Sequence, residues 1–99
     1  MATKNITIKT ASGLEVKINP NVIDDMELID DIMDLYAGRN ADIKGVVNRL
    51  IGEAQRIKLY DHCRKNGVVS ATKVMREVED IFVKATNRVT MLKKSQASQ

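Results

Sequence analysis

Two short segments near the N-terminus alternate between polar and apolar side chains. Residues 5–9 and residues 14–18 each repeat with a period of two, which is typical of β-strands that have one covered face. Gly13, between them, can adopt the positive φ that a tight hairpin loop requires. The pattern predicts a β-hairpin over residues 5–18 that docks on a further surface, because an isolated hairpin is marginally stable. Its predicted apolar face consists of Ile6, Ile8, Leu14, Val16 and Ile18.

The apolar period then changes to that of a helix. Asn19 suits an N-cap, Pro20 suits the first helical position, and Gly38 suits the end of the helix. These signals predict one helix over residues 20–37 with an apolar stripe along it. The stripe is Val22, Met26, Ile29, Met33 and Tyr36, widened by Ile23, Leu28, Ile32 and Leu35.

Three more helices are predicted towards the C-terminus. The second follows Asp42, the third runs from about residue 53 to 65, and a long last helix follows the N-cap Ser70. The fold class is therefore mainly α, with an N-terminal β-hairpin followed by about four helices, the last one long. We expect a single domain over residues 1–94 and a disordered tail over residues 95–99. The near-heptad positions of the last helix are Val74, Val78, Ile81, Ala85 and Leu92.

Composition limits the class of protein. The chain has 99 residues, 43% of them hydrophobic, but only three aromatic residues, so we expect one aliphatic core. A single cysteine cannot form an internal disulfide, which favours a reducing compartment. The sequence has no signal-peptide pattern and no apolar run of about 18 residues, so we expect no membrane association.

Charge is unevenly distributed along the chain. Residues 20–37 contain six acids and no base, whereas residues 38–99 contain thirteen bases and six acids. An acidic helix beside a basic remainder does not favour a nucleic-acid binder, and the two signs are expected to offset each other within the fold or between copies. A small DNA-binding regulator stays an alternative, because basic residues cluster on the second and third helices. They are Arg49, Arg56, Lys58, Arg64 and Lys65.

Candidate chemistry is sparse. The acids of the first helix lack the loop spacing of a hard-cation site, and single glycines form no phosphate-binding motif. His62 and Cys63 are adjacent on a predicted helix and therefore point about 100° apart, which does not suit a nucleophile–base pair. We expect a protein that is not an enzyme and that binds no cofactor and no metal ion.

Five segments in order carry a family resemblance. They are TASGLEVKI at residues 10–18, VIDDMELI at 22–29, LIGEAQ at 50–55, GVVS at 67–70 and MREVEDIF at 75–82. Together the chain resembles the small tail assembly chaperones of long-tailed, siphovirus-type bacteriophages over roughly residues 8–83. It departs from their pattern at Met26, where they have tryptophan, and in a more basic turn segment around residues 64–66.

The resemblance implies a non-catalytic function in the cytoplasm of the infected bacterial host. Such chaperones bind the tape measure protein, a long and largely helical chain. They keep it soluble while tail tube subunits assemble around it, and they are absent from the mature virion. The tail tube protein is a second implied partner, and homo-oligomers are expected from the segregated charge. The remaining alternative is a structural head–tail connector or tail component.

The last helix is the predicted partner-binding surface, because its apolar positions cover more than one narrow stripe and it is longer than the domain requires. The residues predicted to bind are Met75, Val78, Ile81, Phe82, Val89, Met91 and Leu92. The pattern leaves open whether Val78, Ile81 and Phe82 face the core or the partner.

Overall fold

A computed structural model describes the backbone of residues 4–97 and the side chains of residues 4–91. Its elements are β1 (Ile6–Lys9), β2 (Glu15–Ile18), α1 (Pro20–Ile23), α2 (Met26–Tyr36), α3 (Ile43–Ile51), α4 (Glu53–His62), β3 (Arg64–Lys65), β4 (Val68–Val69) and α5 (Ala71–Ala97). The fold is mainly α with an N-terminal hairpin, as predicted. One hydrophobic cluster joins the hairpin to the helices.

The N-terminal hairpin forms as its alternation predicts. Strands β1 and β2 are antiparallel, with Ile8 opposite Val16, and Gly13 has a φ of 97° in the loop. The whole predicted apolar face is buried in the core, which confirms that the hairpin docks on the helices. Its buried members are Ile6, Ile8, Leu14, Val16 and Ile18.

Side chains from the helices cover both outer edges of the hairpin. The amide of Gln55 accepts from the backbone N–H of Lys17 at 2.6 Å and donates to its carbonyl at 2.7 Å, as a neighbouring strand would. On the other edge, Lys84 and Arg88 each donate to a β1 backbone carbonyl at 3.3 Å. The hairpin is therefore held by polar contacts at its edges as well as by its buried face.

The single helix predicted over residues 20–37 is wrong, because the chain forms α1 and α2 there. Asn19 caps α1 as predicted, accepting from the Asn21 N–H at 2.9 Å. Asp25 then adopts an extended backbone, and its side chain accepts from the Leu28 N–H at 3.2 Å. An aspartate that caps the following turn starts a new helix, so α2 takes its own direction. Gly38 ends α2 with a φ of 78°.

The third predicted helix is also shorter than expected. Helix α4 ends at His62, and residues 64–69 form a second small hairpin, β3 with β4. Asn66 and Gly67 have φ values of 54° and 80°, and two successive positive φ values are the geometry of a tight two-residue hairpin turn. The Asn-Gly pair thus reverses the chain between two strands instead of ending a helix.

Helix α5 begins as predicted and continues further than predicted. The Ser70 side chain accepts from the Lys73 N–H at 3.2 Å, which confirms its N-cap role. The helix includes residues 95–97, which were assigned to the disordered tail, and residues 98–99 lie outside the described residues. Alanine and glutamine have good intrinsic helix propensity, which agrees with the extension.

Candidate partner-binding surface

Three of the seven predicted binding residues belong to the core. Val78 and Ile81 are completely buried and Val89 is nearly so. They lie on the side of α5 that packs into the cluster shared by the hairpin and the other helices. A partner could reach them only if the fold opened. The pattern leaves open which way Val78 and Ile81 face, and in the structure both face the core, as Val89 does.

The remaining four predicted residues do not form one surface. Met75 and Phe82 are half-buried at the border of the core, whereas Met91 is 68% exposed. Successive residues of a helix are about 100° apart, which places Met91 on the opposite side of α5 from Met75 and Phe82. The side chain of Leu92 lies outside the described residues.

Helix α2 exposes apolar side chains from the middle of the predicted stripe. Its buried residues are Leu28, Ile32 and Leu35, which belong to the flanks of the predicted stripe. Met26 is 62% exposed, Met33 59% and Tyr36 40%, and the half-buried Ile29 lies between them. We call Met26, Ile29, Met33 and Tyr36 the methionine stripe.

Tyr36 connects the methionine stripe to α5. Its hydroxyl donates a hydrogen bond to the backbone carbonyl of Met75. Burial of the phenol, and then the negative charge of Glu79, raise the pKa of Tyr36 to about 12. Helical spacing places Met75, Glu79 and Phe82, together with the exposed Val83, on this side of α5. The methionine stripe with Met75, Phe82 and Val83 is named the α2–α5 surface below.

Away from the methionine stripe, acidic side chains at α2 form ion pairs with arginines of the chain itself. Arg49 of α3 forms ion pairs with Asp31 and, at 3.8 Å, with Asp25. Arg39, just after α2, pairs with Asp34 at 3.0 Å. Part of the acidic charge of residues 20–37 is therefore offset within the fold, and these pairs orient α2 against α3.

A polar junction that the sequence reasoning missed joins the hairpin loop to α4 and α5. The buried Glu77 carboxylate accepts from the Thr10 hydroxyl at 2.7 Å and from the Ser12 hydroxyl at 2.8 Å. The Ser12 oxygen also lies 2.8 Å from Nε2 of His62, and this nitrogen must donate because the serine proton is already used. No local signal predicts contacts between residues fifty or more positions apart.

The junction holds the loop in place and lacks the geometry of a catalytic triad. In a triad the carboxylate orients the histidine ring, whereas here Glu77 binds the two hydroxyls. Beside it, burial and then the charge of Glu77 raise the pKa of the Cys63 thiol, which disfavours the reactive thiolate. One turn further along α5, the Ala11 N–H donates to Asp80 at 2.8 Å and lowers the pKa of that carboxyl.

The basic cluster on α3 and α4 does not form a helix-turn-helix surface. Only Gly52 separates the two helices, where that motif needs a turn of about three or four residues. Arg56 is buried, donates to Asn48 Oδ1 at 2.6 Å and lies 5.1 Å from the ring centre of Tyr60. With Arg49 and Arg64 in ion pairs as well, three of the five clustered bases are already engaged within the fold.

The described residues contain neither a metal-ligating cluster nor a membrane-spanning helix. In that part of the chain, no group of three or more histidine, cysteine, aspartate or glutamate side chains could hold a metal ion. Nor is any helix there both long enough and apolar enough to cross a lipid bilayer. Compared with protein-family models, curated proteins and solved structures, the chain shows no match.

Proposed function

We propose that the chain is a tail assembly chaperone of a long-tailed bacteriophage, which binds the tape measure protein and keeps it soluble during tail tube assembly. The observation that carries the proposal is the exposure of Met26 and Met33 on α2, in line with Tyr36. Large apolar side chains grouped on one helix face are typical of surfaces that receive another protein. The family resemblance of residues 8–83 points to the same function.

Methionine suits a client with many different segments. Its side chain is unbranched and polarisable, so it can adapt to varied apolar surfaces without rebuilding the fold. A helix that presents apolar residues one turn apart can pack against the apolar face of another helix, which is a common mode of helix recognition. The α2–α5 surface has both features. It exposes methionines, and its apolar side chains lie one turn apart on helices that pack onto one core.

The proposed role needs no chemistry, so the chain acts without catalysis and without a cofactor. The tape measure protein is the main partner, and the tail tube protein and further copies of this chain are secondary ones. The proposal places the chain in the cytoplasm of the infected host during assembly and leaves it out of the mature virion.

The test is co-expression with the tape measure protein of the same phage. We expect the wild-type chain to increase the soluble fraction of the tape measure protein and to copurify with it. The double variant Met26→Gln/Met33→Gln should lose both effects, because it makes the stripe polar at nearly constant size. Met91→Gln is the matched control, since Met91 is equally exposed on the other side of α5.

Two results would contradict the proposal. One is an insoluble tape measure protein that retains no wild-type chain under any salt condition. The other is detection of the chain in purified virions by mass spectrometry at a fixed copy number, which would instead identify a structural tail component.

A further inference from the structure

The acids that border the methionine stripe differ from those on the far side of α2. Asp30 lies one helical turn from both Met26 and Met33, whereas Glu27 lies further round α2, beyond Asp34. On α5, Glu79 is close enough to Tyr36 for its charge to raise the pKa of the phenol. The apolar stripe is therefore bordered by carboxylates on its α2 side and on its α5 side.

Glu27 and the two bordering acids, Asp30 and Glu79, have no ion-pair partner within the described residues. Glu27, Asp30 and Glu79 are all exposed, and none of them lies within ion-pair distance of a described lysine or arginine. By contrast, Asp31 and Asp34 are paired with arginines of the chain. Cations are not scarce, because the chain has 16 lysines and arginines against 13 acids. Asp30 and Glu79 thus carry charge beside the exposed apolar side chains that no described lysine or arginine pairs with.

Helix geometry sets the shape of what can bind. The methionine stripe runs along α2 from residue 26 to residue 36, which is about 15 Å at the rise of an α-helix. That length matches about three turns of a partner helix. The backbone of α2 is satisfied within the helix, so it offers no edge to an added strand and favours recognition through side chains.

We infer that the α2–α5 surface binds an amphipathic helix whose apolar stripe is flanked on both sides by lysine or arginine. Apolar side chains of that helix would pack between Met26, Met33 and Tyr36. Its flanking cations would meet Asp30 on one side and Glu79 on the other. Charge complementarity of this kind speeds association and excludes wrong partners, because a helix with acidic flanks would face like charge.

This inference rests on the proposed function, since it specifies which segments of the tape measure protein the chain would hold. The selected segments would be basic and amphipathic, and acidic segments would be left free. The chain would thus recognise a pattern of charge and apolar spacing that can recur many times along one long helical client.

The inference is tested with three synthetic peptide helices of equal length that share one apolar stripe. Their flanking positions carry lysine, glutamine or glutamate, and binding to the full chain is measured by fluorescence anisotropy. We expect the lysine peptide to bind about tenfold or more tighter than the glutamate peptide at about 0.05 M salt. The difference should shrink at about 0.5 M salt, where the Debye length is only a few ångströms.

Matched variants connect the peptide preference to the named carboxylates. The triple variant Glu27→Gln/Asp30→Asn/Glu79→Gln should lower the preference for lysine flanks to about twofold or less. The control Glu53→Gln/Asp61→Asn removes acids of α4 and should keep the preference of the wild type. Circular dichroism of each variant verifies that the helices are retained.

The inference is overturned if no peptide binds, if the glutamate peptide binds as tightly as the lysine peptide, or if the triple variant keeps the full preference while folded. It is also overturned if the triple variant holds the tape measure protein as well as the wild type does, although the proposed function then stands. A wild-type chain that selects the lysine peptide but never retains the tape measure protein refutes the proposed function alone.

Discussion

Helices α2 and α5 are both amphipathic, but they use their apolar side chains differently. In α5 the fully buried positions are Val78, Ile81 and Ala85, and the branched or small side chains point into one core. In α2, branched residues such as Leu28 and Ile32 are buried, whereas Met26 and Met33 face solvent. The comparison shows that a helix can bury one apolar face and leave a second one exposed, as α2 does with Met26 and Met33.

The largest difference should appear when one apolar residue from each helix is truncated. Ile81→Ala removes a fully buried side chain and should lower the free energy of unfolding by about 2–5 kcal/mol through lost contacts and a cavity. Met33→Ala, at an exposed position, should change it by no more than about 0.5 kcal/mol. Chemical denaturation followed by circular dichroism measures both. Equal losses in the two variants would show that the methionine stripe is part of the core.

The next effect concerns the polar junction and compares two glutamates of α5. Glu77→Ala leaves the Thr10 and Ser12 hydroxyls without their shared acceptor and should cost about 1–3 kcal/mol of stability. Glu79→Ala, two residues along on the exposed side, should cost no more than about 0.5 kcal/mol. The same denaturation experiment measures the loss of stability in each variant. A neutral Glu77→Ala would mean that water replaces the carboxylate without loss.

A smaller effect is expected at the contact between α2 and α5. In a Tyr60→Phe background Tyr36 is the only tyrosine, and its absorbance should titrate with a pKa of about 12. Glu79→Gln should lower that pKa, because the negative charge of Glu79 disfavours the phenolate. Since the folded pKa is raised, the stabilisation by Tyr36 is complete below the ordinary pKa near 10 and is lost as the pH rises through about 12. An unshifted titration would show that Tyr36 does not pack on α5.

The smallest effect is predicted on the neutralised side of α2. Arg49→Gln removes ion pairs to Asp25 and Asp31, all of them partly exposed, and should lower stability by no more than about 1 kcal/mol. The loss should decrease further at high salt, because exposed pairs are screened. Thermal unfolding at two salt concentrations measures it. A large, salt-independent loss would show that Arg49 stabilises the packing of α2 on α3 in another way.

Local signals account for the parts of the fold that the sequence predicted correctly. The period of two fixed the buried face of the hairpin, and Gly13 marked its loop. Asn19, Asp42 and Ser70 all cap helices through a hydrogen bond from a backbone N–H within three residues. Such caps and alternations act over a few residues, so they can be recognised before any tertiary contact is known.

The exposed apolar surface could not be predicted correctly, because burial is decided by contacts that are distant in sequence. Apolar residues cover two sides of α2, and helical spacing fits Met26, Ile29 and Met33 as well as Leu28 and Ile32. Packing of α2 against α3 selects the second set. For the same reason, the apolar positions of α5 alone did not show which of them are buried. Ile81 is one that the structure places in the core. The Thr10–Glu77 hydrogen bond had no sequence signal at all.

The covered edges of the N-terminal hairpin determine how this chain can meet another protein. An open strand edge invites β-augmentation, in which a foreign strand extends the sheet and, repeated many times, leads to amyloid-like stacking. Gln55 occupies the hydrogen-bonding positions of Lys17 on one edge, and Lys84 and Arg88 cap carbonyls on the other. The two-stranded sheet therefore offers a foreign strand few free hydrogen-bonding positions and resists templating.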